Sequence, residues 1–262
     1  MKMRSVFVGL ASGAVLALSA VGASADGMYR GGAVVAPYYS WSGFYVGASA
    51  GWQSTDIDGV VTNFTGGGAA PPGQNWNVDQ DSFIFGGIIG IQHQFGNVVI
   101  GLEANWSKVQ DEWGHALSPT ADCVSAVGNR QCNAAPGTGL FTIGPRLGWA
   151  MGKWMPYVTG GYAHGSIKSQ LLNAPNNNPL IHSKASHDGW FLGAGIDWAA
   201  TKNVIIGLEY QRVHLDDENH RFFNVSNGLA GGERANFESD TDIIRARVTF
   251  KFDRECCARP LK

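Results

Sequence analysis

The chain has 262 residues, of which 36 are Gly and 9 Trp; only 15% are charged, and the net charge is −2. Glycine stands at roughly twice its usual share of about 7%, and charge falls well below the usual value near 25%. Aromatics at 11% with so little net charge exclude a disordered chain and leave no electrostatic footprint for nucleic acid, while a polytopic helical membrane protein would need several apolar runs of about 20 residues.

Residues 1–25 read as a secretory signal peptide. Lys2 and Arg4 precede an apolar stretch from Ser5 to about Val21, and Ala23-Ser24-Ala25 supplies small residues at the cleavage positions. Export makes oxidised cysteines chemically accessible. Residues 26–41 follow as a periplasmic amino-terminal segment.

Eight segments of period two come next. The first, Ser42 to Trp52, puts Phe44, Val46, Ala48, Ala50 and Trp52 opposite Gly43, Tyr45, Gly47, Ser49 and Gly51. Ser82 to Phe95 and Val98 to Lys108 alternate in the same way, with Phe85, Ile89, Ile91, Ile100, Leu102 and Trp106 on the apolar face. The fourth, Gly139 to Met151, sets Phe141, Ile143, Leu147 and Trp149 against Arg146 and glycines. The fifth, Trp154 to about Lys168, assigns no clear faces. Gly189 to Ala199, Asn203 to about His214 and Thr241 to Phe252 complete the set. Connections of about two residues alternate with connections of roughly fifteen to thirty. That alternation, with strands of about ten residues, predicts an all-β fold: an eight-stranded antiparallel transmembrane up-and-down β-barrel over residues 42–252. Both termini and the short turns then lie in the periplasm, the long loops lie outside, and 253–262 form a periplasmic tail.

The faces have the chemistry of a barrel in lipid. Glu103, Arg146, Asp197, Glu209, Arg245 and Arg247 all fall on the small-polar face, which points inward. That face is so rich in Gly and Ser that no apolar core is expected inside. Aromatics mark two girdles: Phe95, Trp149, Trp154, Trp198 and Phe252 near the short turns, and Trp52, Phe83, Trp106, Trp190 and Tyr210 near the long loops.

Trp41-Ser42-Gly43-Phe44-Tyr45-Val46-Gly47 with Ala48 to Gly51, then Gly160-Gly161-Tyr162-Ala163, Asn203 to Tyr210 and Arg245 to Phe252, resemble the alphaproteobacterial outer-membrane immunogenic protein family. These are RopB-like small porin-like surface antigens with an OmpA-type barrel. The resemblance implies an outer-membrane protein of structural and surface-antigen character, with no catalytic residues to carry over. Its implied partners are outer-membrane lipid and lipopolysaccharide, the barrel-assembly machinery during biogenesis, and surface partners that the sequence does not identify. Family members end on the closing aromatic, here Phe252, whereas this chain continues from Asp253 to Lys262.

Little else in the sequence carries chemistry. Seven histidines show no metal-motif spacing, so no cofactor is expected. His115, His182 and His220 are expected in solvated loops, with haem or metal binding there as the lesser alternative. Ser186-His187-Asp188 is the one cluster suggestive of a hydrolase, but consecutive strand residues point to opposite sides, so no enzyme is expected. Asp216-Asp217-Glu218 reads as a solvated acidic run on a loop. Cys123 and Cys132 share the loop after the third strand and are expected to form a disulfide, because Cys256 and Cys257 lie across the membrane. Glu103 with Arg146, and Glu209 with Arg247, stand at similar depth on neighbouring strands, and Arg245 also points inward. These five are the candidate interior ion pairs. Two functions survive: a structural surface protein with a closed lumen, or a small porin.

Overall fold

A computed structural model describes residues 39–63, 73, 75–110, 130–173, 178–224, 228 and 230–252. Eight strands follow one another: β1 (Gly43–Asn63), β2 (Asn75–Phe95), β3 (Val98–Val109), β4 (Arg130–Trp149), β5 (Trp154–Asn173), β6 (Asn178–Ala199), β7 (Val204–Asn224) and β8 (Ala230–Phe252). Each pairs antiparallel with its sequence neighbours, and β1 pairs with β8, so the sheet closes into a barrel without a free edge. Gly96 and Gly152 sit in short turns with φ near +60°, a conformation that costs a glycine nothing.

The strands differ from expectation in length. All but β3 run to 20 residues or more, about twice what a tilted strand needs to cross hydrocarbon. Much of what reads as long loop is strand that continues the barrel beyond the apolar belt. Period-two alternation persists there with polar residues facing outward, which hides these extensions from a search for apolar outer faces.

The outward belt is apolar. Leu192, Ile91, Ile100, Val158 and Leu208 stand about half exposed on it. Aromatics bound the belt at both ends. Trp154 stacks near Trp198 at 6.0 Å, while Trp52 meets Phe83 edge-on at 4.9 Å at the far end. On β6 the belt runs from Trp190 to Trp198, the nine residues that suffice for a crossing.

The interior is packed, which corrects the expectation of a lumen too small-sided for an apolar core. Trp41, Val99, Ala150, Met155, Ala199 and Ile205 form a floor near the short turns. Ile84, Val109, Ala163, Phe191, Val213, Leu215 and Ile243 form a second cluster higher up. Ile57, Val78, Ala134, Ile167, Phe222 and Phe237 fill the extended part. Trp41 belongs to no strand: its amide donates to Gln94 Oε1 (2.8 Å), its carbonyl accepts from Gln92 Nε2 (2.7 Å), and its indole Nε1 donates to the Gly152 carbonyl (3.2 Å). The last residues of the amino-terminal segment are therefore tucked into the barrel mouth.

Candidate functional site

Between the floor and the second apolar cluster lies a buried charged layer. The alternation of β3, β4, β6, β7 and β8 turns Glu103, Arg146, Asp197, Glu209, Arg245 and Arg247 inward, and all six are buried. Arg247 is the hub. Its Nη1 donates to Glu103 Oε1 (2.9 Å) and Glu209 Oε2 (2.8 Å), its Nη2 bonds Glu103 Oε2, and its Nε lies 3.7 Å from Asp197 Oδ1. Arg245 donates from Nε and Nη2 to Glu209 Oε1 (2.8 and 2.7 Å). Arg146 reaches Asp197 Oδ2 at 2.5 Å and Glu103 Oε2 at 3.5 Å. Three carboxylates thus face three guanidiniums, and the layer is neutral as a whole. Planar guanidinium forks suit this task, since each can hold two oxygens at once.

Two tyrosines complete the layer. Tyr45 on β1 donates its hydroxyl to Glu103 Oε2, and Tyr157 on β5 donates to Glu209 Oε2, each at 2.7 Å. The Arg146 guanidinium lies over the Tyr157 ring at 3.5 Å from its centroid. Glycines make room for these groups: a Cβ at Gly90 would collide with the Tyr45 ring, one at Gly195 with Tyr157, and one at Gly207 with Asp197. These three glycines are thus matched to the large polar side chains beside them.

The structure brings all five sequence-nominated ion-pair residues into one cluster. Sequence reasoning left Asp197 out of the pairing, although it stands on the inner face, and missed Tyr45 and Tyr157. Tyr157 lies on β5, where a bulky outer residue and a bulky inner residue alternate and periodicity gives no contrast. The fold settles the faces: Met155, Tyr157 and Ala163 point in, Trp154, Val158 and Tyr162 out.

A second buried polar pair sits well above the belt. His187 Nε2 faces His220 Nε2 at 2.9 Å, and His187 Nδ1 lies 2.9 Å from the Asp216 carbonyl oxygen. A carbonyl can only accept, so His187 carries its proton on Nδ1 and His220 donates to it through Nε2. His220 Nδ1 then accepts from Ser183 (3.3 Å) or Ser169 (3.5 Å), with the Phe237 ring edge-on at 4.7 Å. Expectation placed His220 in a solvated loop; it is instead fully buried on β7, and His182 lies on β6 facing out. Burial, with His187 adding to it, pushes the His220 pKa from 6.5 down to about 4. Between those values the unfolded ring takes up a proton that the folded ring refuses. The stabilisation is complete above about 6.5 and is lost as pH falls towards 4. Hydrogen exchange in the upper halves of β6 and β7 is therefore expected to quicken between pH 7 and pH 4.5 relative to the belt, and His220→Gln to abolish that slope. An unchanged slope in the variant would rule the pair out as its source.

The profile of the family described as outer membrane protein beta-barrel domain matches residues 11–252. The chain belongs to that family. It is 26% identical over 219 residues to the 31 kDa outer-membrane immunogenic protein of Brucella melitensis, covering 82% of this chain and 85% of the relative. It is 26% identical over 250 residues to the 25 kDa outer-membrane immunogenic protein of Brucella abortus, covering 93% and 96%. Among solved structures, the outer membrane protease OmpT of Escherichia coli superposes with a TM-score of 0.50 at 13% identity, covering 80% of this chain and 97% of that one, a likeness of fold alone. The protein is thus an outer-membrane β-barrel of the immunogenic-protein type.

The remaining sequence nominations do not assemble. Ser186 and Asp188 face outward on β6 while His187 faces the lumen, so no catalytic cluster forms from them. Asp188 instead accepts from the Tyr162 hydroxyl (2.5 Å) and meets His164 Nδ1 at 2.7 Å. Asp216, Asp217 and Glu218 lie within β7, at a register shift, and not on a loop. Cys123, Cys256 and Cys257 lie outside the described residues, as does the tail; Cys132 belongs to β4.

Proposed function

We propose that the protein is a structural, surface-displayed component of the outer membrane whose barrel supports envelope integrity and does not conduct. The termini and short turns face the periplasm and the strand extensions face outside, where they present surface to partners. The observation that carries this reading is the charged layer, in which every carboxylate is held by guanidinium groups at mid-depth. A water-filled pore would leave such groups hydrated and mobile. Here burial favours the paired arrangement, because an unpaired charge in a dry lumen would cost several kcal/mol. The apolar clusters below and above the layer support the same reading. Eight strands also leave an interior that side chains fill.

Single-channel recording of purified, heat-modifiable protein in planar bilayers tests this. Silent bilayers at 1 M salt are expected. Steady channels of uniform conductance would overturn the closed-lumen reading and favour the small porin.

A further inference from the structure

Above the outer aromatic girdle, the pairing of β6 with β7 is interrupted between His182–Phe223 and Gly189–Leu215, so residues 183–188 and 216–222 run past each other without a regular ladder. The other side of β6 stays paired with β5 through this height. Side chains span the break. His187 Nδ1 meets the Asp216 carbonyl oxygen at 2.9 Å, and His187 Nε2 meets His220 Nε2 at 2.9 Å. Both histidines are fully buried. Their ring centroids lie 5.1 Å apart. That exceeds the nitrogen separation by about the two ring radii, so the two Nε2 atoms point head-on at each other.

We propose that His187 and His220 form a binding site for a divalent transition-metal cation, seated between their two Nε2 atoms and tying β6 to β7 across the break. A ligating histidine is neutral, with its other ring N–H anchored by an acceptor. The Asp216 carbonyl anchors His187 Nδ1–H. The Ser183 and Ser169 hydroxyls, 3.3 and 3.5 Å from His220 Nδ1, can accept a proton as well as donate one. With both protons on Nδ1, two lone pairs converge on one point, which only a cation makes favourable; in the metal-free protein a single shared proton fills that place. Among the described residues no third His, Cys, Asp or Glu side chain joins the pair. Water therefore fills the remaining positions, and the site is exchangeable, unlike a four-ligand structural zinc centre. Imidazole suits Cu²⁺ and Zn²⁺ alike, and Cu²⁺ stands highest in the general affinity order. Metal–nitrogen bonds of about 2.0 Å require the nitrogens to part to about 3.3 Å in a tetrahedral site or about 4 Å in a trans arrangement. The interrupted ladder permits that movement, where continuous backbone pairing would resist it. Charge favours the same ligand. On the two unpaired segments Asp188, Asp216, Asp217 and Glu218 stand exposed against Lys184 and Arg221. Asp188 accepts from Tyr162, and Asp217 from Asn236; these neutral donors leave both charges in place, so the rim attracts cations.

The test uses folded, untagged protein in detergent, stripped with a chelator and titrated with Cu²⁺ by calorimetry, with the ligating nitrogens counted by electron paramagnetic resonance. Wild type is expected to bind one equivalent through two imidazole nitrogens. Hydrogen exchange at residues 183–188 and 216–222 should slow on loading, because the cation joins the two strands. His187→Gln and His220→Gln are each expected to weaken binding about 100-fold, the upper end of what even the loss of a ligand's outer partner costs. Ser169→Ala/Ser183→Ala keeps both imidazoles and serves if the histidine variants do not fold; it should weaken binding about tenfold by freeing the His220 ring. His214→Gln removes a more exposed imidazole that meets Asp240 and Asp216 on the outer wall, and should bind as wild type does. Absence of binding in wild type overturns the proposal. So does binding undiminished in the His187, His220 and serine variants, or an equal loss in His214→Gln, which would place the cation on the outer wall.

Discussion

Replacing Arg247 with alanine is expected to cost the barrel about 3–5 kcal/mol, the range for breaking a buried ion pair by removing one partner. Arg247 bonds Glu103 and Glu209 and approaches Asp197. Without it, three carboxylates remain with two guanidiniums in a layer closed to solvent. Glu103 would keep only its 3.5 Å contact with Arg146 and its hydrogen bonds from Tyr45 and Asn105. Lysine at the same position should recover only part of the loss, because a single ammonium cannot hold two carboxylates in a planar fork. Urea titration in lipid, with folded protein read by its heat-modifiable migration on gels, measures the effect. Arg212→Ala is the comparison: that guanidinium also meets two aspartates but is about half exposed, so its loss should cost less than about 1 kcal/mol. Equal effects from the two substitutions would mean that the lumen is wet and the charged layer is not a structural element.

Trp41→Ala is expected to cost a similar 3–5 kcal/mol, the usual range for truncating a buried large aromatic residue. The indole is fully buried against Val99, Ala150, Met155, Ala199 and Ile205, with the Tyr39 ring edge-on at 4.8 Å. Nearby, Lys251 bonds the Ser40 carbonyl, and its ammonium sits 4.6 Å from the Tyr39 ring centroid. Alanine would empty the floor and release this segment, so protease cleavage next to Tyr39 should accelerate together with the loss in urea stability. On the proposed closed-lumen reading, conductance should stay silent, because the charged layer and the apolar cluster above it remain in place. Steady channels in this variant would show that the floor alone holds the barrel shut. Unchanged cleavage would show that Trp41 does not anchor the segment.

Much of the architecture is legible in the sequence, for a physical reason. Lipid offers no hydrogen bonds, so a spanning sheet must close and keep its outer face apolar. Phe44, Ile91, Leu102, Leu147, Leu192 and Leu208 alternate with Gly, Ser and charge because one side of each strand meets lipid. The same alternation places Glu103, Arg146, Glu209, Arg245 and Arg247 inside. Short turns such as Gly96-Asn97 fix which strands are neighbours, and with them the eight-strand count.

The tertiary structure decides what periodicity cannot carry. Which guanidinium meets which carboxylate depends on reach across the lumen: Glu103 and Arg247 lie 144 positions apart on strands that are not neighbours, and no local pattern links them. Tyr45 and Tyr157 enter the layer only because Gly90 and Gly195 stand beside them, a complementarity between strands that a one-dimensional pattern does not show. Trp41 sits outside every strand, so only closure of the barrel gives it a floor to fill. The upper strands escape a search for apolar outer faces because beyond the girdle the outer face is polar and the apolar residues, such as Ile57, Ile167 and Phe237, turn inward. His187 and His220, read as unrelated residues 33 positions apart, become a buried pair when β6 and β7 continue the cylinder upward. The lipid thus writes its constraint into every second residue of the belt, while the contents of the lumen follow from closure, which no single segment contains.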